Sequence, residues 1–131
     1  MPGMAQTFAD ALQRTEEKRD PAPLVELFAE DADLRNLAFA EEGIEGARGF
    51  WQTYLDQFDR IRSEFSHLIE QDGQAALVWT SEGALKGGRP ISYRGVSVIE
   101  FEDGKVHHFE TVYDSAAFVR PAAEGEAPDQ A

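Results

Sequence analysis

The stretch ISYRGVSVIEFEDGKVHHFETVYDSAAF, residues 91–118, decides the fold. It contains two runs rich in β-branched and aromatic residues, separated by EDGK at positions 102–105. Asp-Gly between alternating apolar runs is a strong hairpin signal, because glycine readily adopts the positive φ of a close turn. The second run leads directly into Tyr113 and Asp114. A sheet that ends in aromatic and polar groups suits a concave pocket for a small organic molecule.

Upstream of this hairpin, the pattern places helices first and long strands later. Apolar residues at helical spacing predict three helices, at residues 7–19, at residues 24 to about 30, and at residues 47–58. Alternating segments predict strands at residues 32–37, 63–71 and 75–85, with a loop over 38–46 and a turn at 71–74. The predicted fold class is therefore α+β: a cone-shaped, curved antiparallel sheet packed against three N-terminal helices.

The composition describes a single globular domain. The chain has 131 residues, of which 42% are hydrophobic and 28% charged, and this is enough for one core. We assign the folded domain to residues 7–120. Residues 121–131, PAAEGEAPDQA, have no apolar periodicity, so we expect a disordered acidic tail there.

Charge and cysteine content exclude several classes of partner and site. The formal net charge of −13 would repel nucleic acid and anionic membranes, so neither is expected as a partner. The absence of cysteine excludes disulfides, thiol nucleophiles and thiolate metal sites. No apolar run approaches the roughly 18 residues of a membrane-spanning helix. The N-terminus MPGMAQTFAD lacks the pattern of a signal peptide, and we expect a cytoplasmic protein.

The chain resembles the SnoaL-like branch of the nuclear-transport-factor-2-like superfamily in three segments, LVELFAEDADLRN (24–36), EGARGFWQTYLDQF (45–58) and VIEFEDGKVHHFETVYD (98–114). The resemblance covers residues 7 to 118. It implies a cone of sheet closed by helices, often dimeric through the outer sheet face. Members of this superfamily include polyketide cyclases, ketosteroid isomerases, limonene epoxide hydrolases, dehydratases and non-enzymatic binding modules, so the fold alone does not decide the function.

The resemblance does not carry over the best-known catalytic sets of that superfamily. Ketosteroid isomerases have a carboxylate base where this chain has Asn36, and their oxyanion-hole acid falls near Ser97. Limonene epoxide hydrolases hold water with an asparagine that matches Asn36, but Leu34 stands in place of their tyrosine. The resemblance therefore implies the cavity of the family with a different set of reacting groups.

Strand alternation predicts which side chains line this cavity, because residues two apart on a strand share a face. We expect the ligand to contact Tyr54, Tyr93, His107, Phe109, Thr111 and Tyr113. The same reasoning places Glu82 inward, and Trp79 and Ser81 outward. A register slip of one residue would invert these assignments.

Three residues are the candidate catalytic groups: Glu82, Asn36 and Asp114. A carboxyl group in a largely apolar cavity has its pKa raised by desolvation, which suits Glu82 as a general base. Asn36 would orient a water molecule or a substrate carbonyl. Asp114 would act as an acid or base at the cavity mouth. The alternatives are that Glu82 lies at a solvated strand end and that Asp114 caps a turn.

No metal or cofactor is expected from the sequence. His107 and His108 are adjacent on a strand, so their imidazoles point to opposite faces and cannot hold one metal together. A site built from His67, His108 and Glu110 is the alternative to an ordinary polar sheet face.

The sequence thus predicts a protein that binds a small, partly apolar molecule in a cone-shaped pocket. One interpretation is an enzyme with cofactor-free acid/base chemistry of isomerase, cyclase, dehydratase or hydrolase type. The other is a non-catalytic binding or interaction module. Trp79 and Val112 are both predicted on the outer sheet face, and the cost of exposing them favours a homodimer that covers this face.

Overall fold

The computed structural model describes residues 3–119, and they form an α+β fold. Its elements are α1 (Met4–Lys18), α2 (Ala22–Val25), β1 (Phe28–Arg35), β2 (Ala40–Glu42), α3 (Gly43–Asp56), β3 (Phe58–Gln71), β4 (Gln74–Leu85), β5 (Pro90–Glu102), β6 (Lys105–Tyr113) and α4 (Ala116–Val119). This confirms the predicted fold class and the predicted order of helices before long strands. The predicted tail at 121–131 lies outside the described residues.

All six strands belong to one curved sheet in the order β2-β1-β6-β5-β4-β3. Its pairs are antiparallel except for β1 and β6, which run parallel with Leu34 opposite Phe109. The sheet is therefore mixed: the long strands β3 to β6 pair antiparallel, as the predicted curved antiparallel sheet requires, and β1 adds one parallel pair. The hairpin predicted at 102–105 is present, with Asp103 and Gly104 both at positive φ.

Several boundaries in the first half of the chain differ from the prediction. Helix α2 ends at Val25, and Phe28 already belongs to β1, where it lies opposite Val106 of β6. A register shift between Phe28 and Asp33 breaks the alternation of inward and outward side chains along β1. The sequence pattern therefore did not show where β1 begins. The predicted loop at 38–46 contains β2 and the first turn of α3. Strand β2 is wholly exposed, so it carries no apolar signal.

Helix α1 is fixed across the inner face of β3 by hydrogen bonds near each of its ends. The Glu70 carboxylate accepts the Ala5 backbone N–H (2.8 Å), which satisfies a free donor at the start of the helix. At the other end, the Arg19 guanidinium donates to the carbonyl oxygens of Leu55 (3.2 Å) and Phe58 (2.7 Å). These bonds set the height of α1 above the sheet and hence the position of its inward-facing side chains.

The core lies between the helices and the concave face of the sheet. Aromatic rings dominate it, with centroids 5.0 Å apart for Trp51 and Phe109 and 5.6 Å apart for Phe8 and Phe109. A second cluster around Phe58 and Tyr93 occupies the end of the sheet nearer α4. Between residues 3 and 119, no helix is long and apolar enough to cross a membrane.

Candidate functional site

A cavity lies between α1, α3, α4 and the concave face of β3 to β6. About 60 Å³ of it is open to the centre of a water molecule, which corresponds to a few water-sized positions at roughly 10–15 Å³ each. Its lining consists of Phe8, Leu12, Asn36, Phe39, Phe50, Trp51, Thr53, Tyr54, Gln57, Ser63, Phe65, Trp79, Ser81, Tyr93, Ser97, Phe109, Thr111, Tyr113 and Phe118. The walls are thus mainly aromatic, with a few hydroxyl and amide groups, and none of these side chains is charged.

The hydroxyl groups of the sheet wall come from residues that lie directly opposite one another on neighbouring strands. Ser63 of β3 is opposite Ser81 of β4, and Ser81 is opposite Tyr93 of β5. Opposite residues share one face of a sheet, so these three side chains form a polar row across the inner wall. We call Ser63, Ser81 and Tyr93 the hydroxyl row.

The row of residues beside the hydroxyl row contains a glycine, and the space around this glycine is taken up by its two neighbours in the row. Trp79 of β4 lies opposite Gly95 of β5, and Gly95 lies opposite Tyr113 of β6. A Cβ atom at position 95 would come within 2.7 Å of Trp79 Cζ2 and 2.7 Å of the Tyr113 Cβ. The missing side chain at Gly95 therefore leaves room for the Trp79 indole, which forms part of the cavity wall.

Glu16 of α1 joins the hydroxyl row from the helix side and is only 4% exposed. Its Oε1 accepts the Ser63 backbone N–H (2.8 Å), and its Oε2 accepts bonds from the hydroxyls of Ser63 (2.6 Å) and Tyr54 (2.6 Å). The hydroxyls of Ser63 and Ser81 are in turn 2.6 Å apart. A buried carboxylate is thus connected to the cavity through two routes, one through Tyr54 and one along the hydroxyl row.

Burial controls the ionisation of this network. Desolvation raises the pKa of Glu16 above its ordinary value of 4.5, although the hydrogen bonds from Ser63 and Tyr54 oppose the shift. The pKa of Tyr54 lies well above 10, because burial and the neighbouring Glu16 both disfavour the phenolate. Burial likewise raises the pKa of Tyr93. Glu16 is therefore the group of this network that loses its proton before the two tyrosines as pH rises.

A second set of hydrogen-bonded side chains, Trp79 of β4, Ser97 of β5 and Thr111 of β6, lies further along the wall. The Trp79 indole N–H donates to Ser97 Oγ (2.9 Å), and the Ser97 hydroxyl donates to Thr111 Oγ1 (3.0 Å). Ser97 and Thr111 are opposite each other in the sheet, which explains their contact. These bonds fix the orientation of the Trp79 ring at the surface of the cavity.

Several lining residues are partly exposed, among them Asn36, Tyr113 and Phe118. Phe118 of α4 packs against Tyr93 (centroids 4.8 Å apart) and Tyr113 (5.7 Å). The backbone carbonyl of Phe118 accepts a bond from the Arg89 guanidinium (2.7 Å), which holds α4 in place. In the loop after β1, Asn36 Oδ1 accepts the backbone N–H groups of Ala38 (2.7 Å) and Phe39 (3.0 Å).

The structure brings six of the predicted site residues together around this cavity: Asn36, Tyr54, Tyr93, Phe109, Thr111 and Tyr113. Asn36 Oδ1 is used by the loop that follows it, so the amide N–H₂ is the part of Asn36 left to face a ligand. Glu82, His107 and Asp114 do not line the cavity.

The prediction that Glu82 faces the cavity was wrong, because the inner and outer faces of β4 are the reverse of those predicted. Glu82 is exposed on the convex face, whereas Ser81 (1% exposed) and Trp79 (7% exposed) face inward. The inner face of β4 carries Leu77, Trp79 and Ser81, and the outer face carries the polar Thr80 and Glu82. Burial of the large indole decides the register, because exposing it would cost far more than exposing a carboxylate.

His107 and Asp114 were also predicted at the cavity and are elsewhere. The pairing of β5 with β6 shifts register so that Phe101 lies opposite Val106 and Glu100 opposite His108. His107 is the extra residue of this bulge, and its Nδ1 lies 3.5 Å from the Asp31 carboxylate outside the cavity. Asp114 is exposed in the turn before α4, where its backbone carbonyl accepts the Ala117 N–H (3.3 Å).

Two residues that sequence reasoning missed are buried at the cavity: Glu16 and Trp51. Glu16 follows Phe8 and Leu12 on the apolar stripe of α1, and a carboxylate that interrupts such a stripe was the available signal. Trp51 lies at helical spacing with Tyr54 and Phe58, a pattern that by itself indicates only a core position. Its side chain is 3% exposed, and its Nε1 has no hydrogen-bond partner among the described residues.

The proposed alternative metal site on the outer face is not assembled. His67 is on β3 and His108 on β6, and two strands separate them. His108 lies instead between the carboxylates of Asp33 (2.9 Å) and Glu110 (3.2 Å). Burial lowers the pKa of His108, but the hydrogen bonds to Glu110 and Asp33 outweigh it and leave the pKa raised above 6.5. Residues 3–119 contain no group of three His, Asp or Glu side chains arranged to hold a metal ion.

The sequence over residues 5–109 matches the family model described as a SnoaL-like domain. The chain belongs to the SnoaL-like family. This agrees with the resemblance carried by the three segments quoted above and with the curved sheet under its helices. No curated protein shows significant similarity to this SnoaL-like chain.

Solved structures of low sequence identity share the whole fold. A putative isomerase from Rhodopseudomonas palustris has a TM-score of 0.81 and 20% identity, with 95% of this chain and 99% of that chain covered. An NTF2-like protein of unknown function from Burkholderia pseudomallei has a TM-score of 0.80 and 17% identity, with 93% and 99% covered. A protein from Catenulispora acidiphila with a ketosteroid isomerase-like fold, in complex with trimethylamine, has a TM-score of 0.79 and 15% identity, with 97% and 99% covered. At these identities the likeness establishes the fold alone.

Proposed function

We propose that this SnoaL-like protein binds a small, partly apolar organic molecule in the cavity and carries out cofactor-free acid/base chemistry on it. The reaction would be of isomerase, cyclase, dehydratase or hydrolase type. The observation that supports the proposal is the buried Glu16 carboxylate, which is connected to an aromatic cavity through hydroxyl groups that line it. Buried ionisable groups with shifted pKa values concentrate at functional sites.

Glu16 would accept a proton through the hydroxyl row. The Ser63 hydroxyl donates to Glu16, so its oxygen is free to accept the proton of the Ser81 hydroxyl, 2.6 Å away. A ligand that gives a proton to Ser81 Oγ would drive one transfer along each of these bonds. In each transfer one O–H bond breaks and another forms, and the process ends with a neutral Glu16 and a ligand that has lost a proton. Such positioned proton transfer contributes typically 10²–10⁴-fold to a rate.

The test separates proton transfer from binding. A panel of small neutral molecules is screened for binding by native mass spectrometry, and deuterium uptake from D₂O into each bound molecule is followed. Glu16→Gln should keep binding and lose at least about a hundredfold of the exchange rate. Glu17→Gln is the matched control, because Glu17 is the next residue of α1 and is exposed. Equal exchange rates in the wild type and in the Glu16→Gln variant would refute the catalytic part of the proposal.

The second candidate is a non-catalytic binding module of the same fold. It is favoured by the completeness of the network, because both carboxylate oxygens of Glu16 already have hydrogen-bond partners within the protein. In that case ligand binding would occur without any exchange that depends on Glu16.

We also propose that two copies associate through the convex face of the sheet. Val78, Val96 and Val112 are opposite one another on three adjacent strands of this face, and Val112 is 49% exposed. Val98 (38% exposed) lies in the next row. Trp79, which was predicted on this face, is inside. The apolar surface consists of these valines and of Ile69, which is 59% exposed and lies in the row of Val98, opposite Ala76. The cytoplasmic location stays a prediction from the sequence.

A further inference from the structure

The two tryptophans of this chain face the same cavity in opposite hydrogen-bonding states. The Trp79 indole N–H donates to Ser97 Oγ at 2.9 Å. The Trp51 indole N–H is buried and has no partner among residues 3–119. A buried donor without an acceptor is rare in proteins and costly, and each one calls for an explanation.

The surroundings of Trp51 explain why the protein offers no acceptor to it. The ring packs against Phe50 (centroids 5.1 Å apart), Tyr54 (5.7 Å) and Phe109 (5.0 Å). Tyr54 lies one turn further along α3, and its hydroxyl is already bonded to Glu16. Trp51 also lines the cavity, although its Nε1 is buried behind the surface of that cavity. A bound molecule that displaces the neighbouring rings can therefore bring an acceptor to the N–H.

The charge of the lining restricts the chemistry of that acceptor. None of the nineteen lining side chains is charged, so a bound carboxylate or phosphate would have no opposite charge beside it. Transfer of an unpaired anion from water into such a site is strongly unfavourable. The buried Glu16, which adjoins the lining residues Tyr54 and Ser63, adds further repulsion when it is ionised.

We propose that Trp51 selects the ligand, with its Nε1–H donating a hydrogen bond to an uncharged acceptor oxygen on an otherwise apolar small molecule. This inference rests on the proposed function, because it names the class of molecule that the same cavity takes. The aromatic walls hold the apolar body of the ligand, and the buried Trp51 N–H fixes which end of the ligand enters first. The limited volume of the cavity restricts the occupant to a molecule of small-ring size.

The experiment compares two probes of nearly equal shape, cyclohexanone and methylenecyclohexane, which differ in an oxygen acceptor. Each is titrated into the ¹⁵N-labelled full chain, and the two indole N–H resonances are followed. Cyclohexanone should bind about tenfold more tightly. It should also move the Trp51 resonance downfield, while the Trp79 resonance, already hydrogen-bonded, serves as the internal reference. Cyclohexanecarboxylate should bind more weakly than cyclohexanone, because it carries a charge.

Trp51→Phe assigns the resonance and tests the energetic role of the N–H. In this variant the preference for cyclohexanone over methylenecyclohexane should fall about tenfold, to near equality. The comparison in the wild-type protein does not depend on whether the variant folds. Equal affinities of the two probes for the wild type, or equal movement of both indole resonances, would overturn this inference and leave the proposed function standing. Failure of every small neutral molecule to bind would overturn both.

Discussion

The Tyr54 hydroxyl of α3 donates a 2.6 Å hydrogen bond to the Glu16 carboxylate of α1, which ties the two helices that cover the cavity. Because Glu16 is buried, the bond also makes the charge of this carboxylate part of the folding energetics. The two roles of Glu16, as a structural acceptor and as a proposed proton acceptor, can be separated by their dependence on pH.

We expect Glu16 to make folding stability depend on pH with a definite sign. Its pKa is raised in the folded state, so the contribution is fully present below pH 4.5 and is lost as pH rises through the raised value. The free energy of unfolding of the wild type, minus that of Glu16→Gln, should therefore fall as pH rises from 4 to 8. Urea unfolding at several pH values measures it. Glu17→Gln serves as the control for the loss of one exposed carboxylate from the same helix, and a curve that rises with pH for Glu16→Gln would contradict the assignment.

Gly95 should be intolerant of even the smallest side chain. A Cβ there would approach the Trp79 ring and the Tyr113 Cβ to 2.7 Å, so we expect Gly95→Ala to lower the free energy of unfolding by about 1–3 kcal/mol. Gly49→Ala is the control, because Gly49 lies in α3 with open space around it. That change should raise stability by roughly 0.5–1 kcal/mol. Similar thermal midpoints for the two variants would disprove the packing argument.

The valine surface makes a prediction about assembly. If the convex face is covered by a second copy, Val112→Lys places an ammonium group in the interface and should weaken association at least about tenfold, given the several kcal/mol cost of burying a charge. Leu37→Lys is a matched control, since Leu37 is 52% exposed and lies outside the valine rows, in the loop before β2. Sedimentation velocity measures both. A monomeric wild type, or equal dissociation constants for the two variants, would rule out this interface.

His108 should contribute a small, pH-dependent stabilisation. Its pKa is raised above 6.5 because hydrogen bonds to Glu110 and Asp33 outweigh the opposing effect of burial. The contribution is therefore full below pH 6.5 and is lost as pH rises through the folded-state value. We expect roughly 0.5 kcal/mol or less, because solvent screens these pairs. An NMR titration of the His108 ring in the wild type and in Asp33→Asn checks it: the variant should titrate at lower pH, and unchanged titration would exclude the pair.

The sequence predicts much of the wall that β5 and β6 form. Alternation around Phe109 correctly placed Tyr93, Thr111 and Tyr113 on the concave face, because these strands pair regularly beyond the bulge. The prediction that His107 faces the cavity was wrong because a bulge inserts one residue into β6. Regular alternation along a strand does not reveal such an insertion.

The polar part of the site was harder to predict, because its members are far apart in the chain. Glu16 and Ser63 are 47 residues apart, and their contact depends on how α1 crosses β3. Alternation on β4 is compatible with either face being inside, and the burial of Trp79 determines that Ser81 and not Glu82 faces the cavity. The unpaired N–H of Trp51 is visible only when every neighbour of its ring is known.

The parallel pairing of β1 with β6 has a consequence for biosynthesis. Leu34 meets Phe109 across this pair, so the strand that β1 needs beside it is among the last parts of the fold to be translated. Until β6 is synthesised, the aromatic side chains around Phe28 stay available to bind other apolar surfaces. A nascent chain in this state is expected to bind chaperones. Closing so long a loop also slows refolding relative to a helical bundle of equal length.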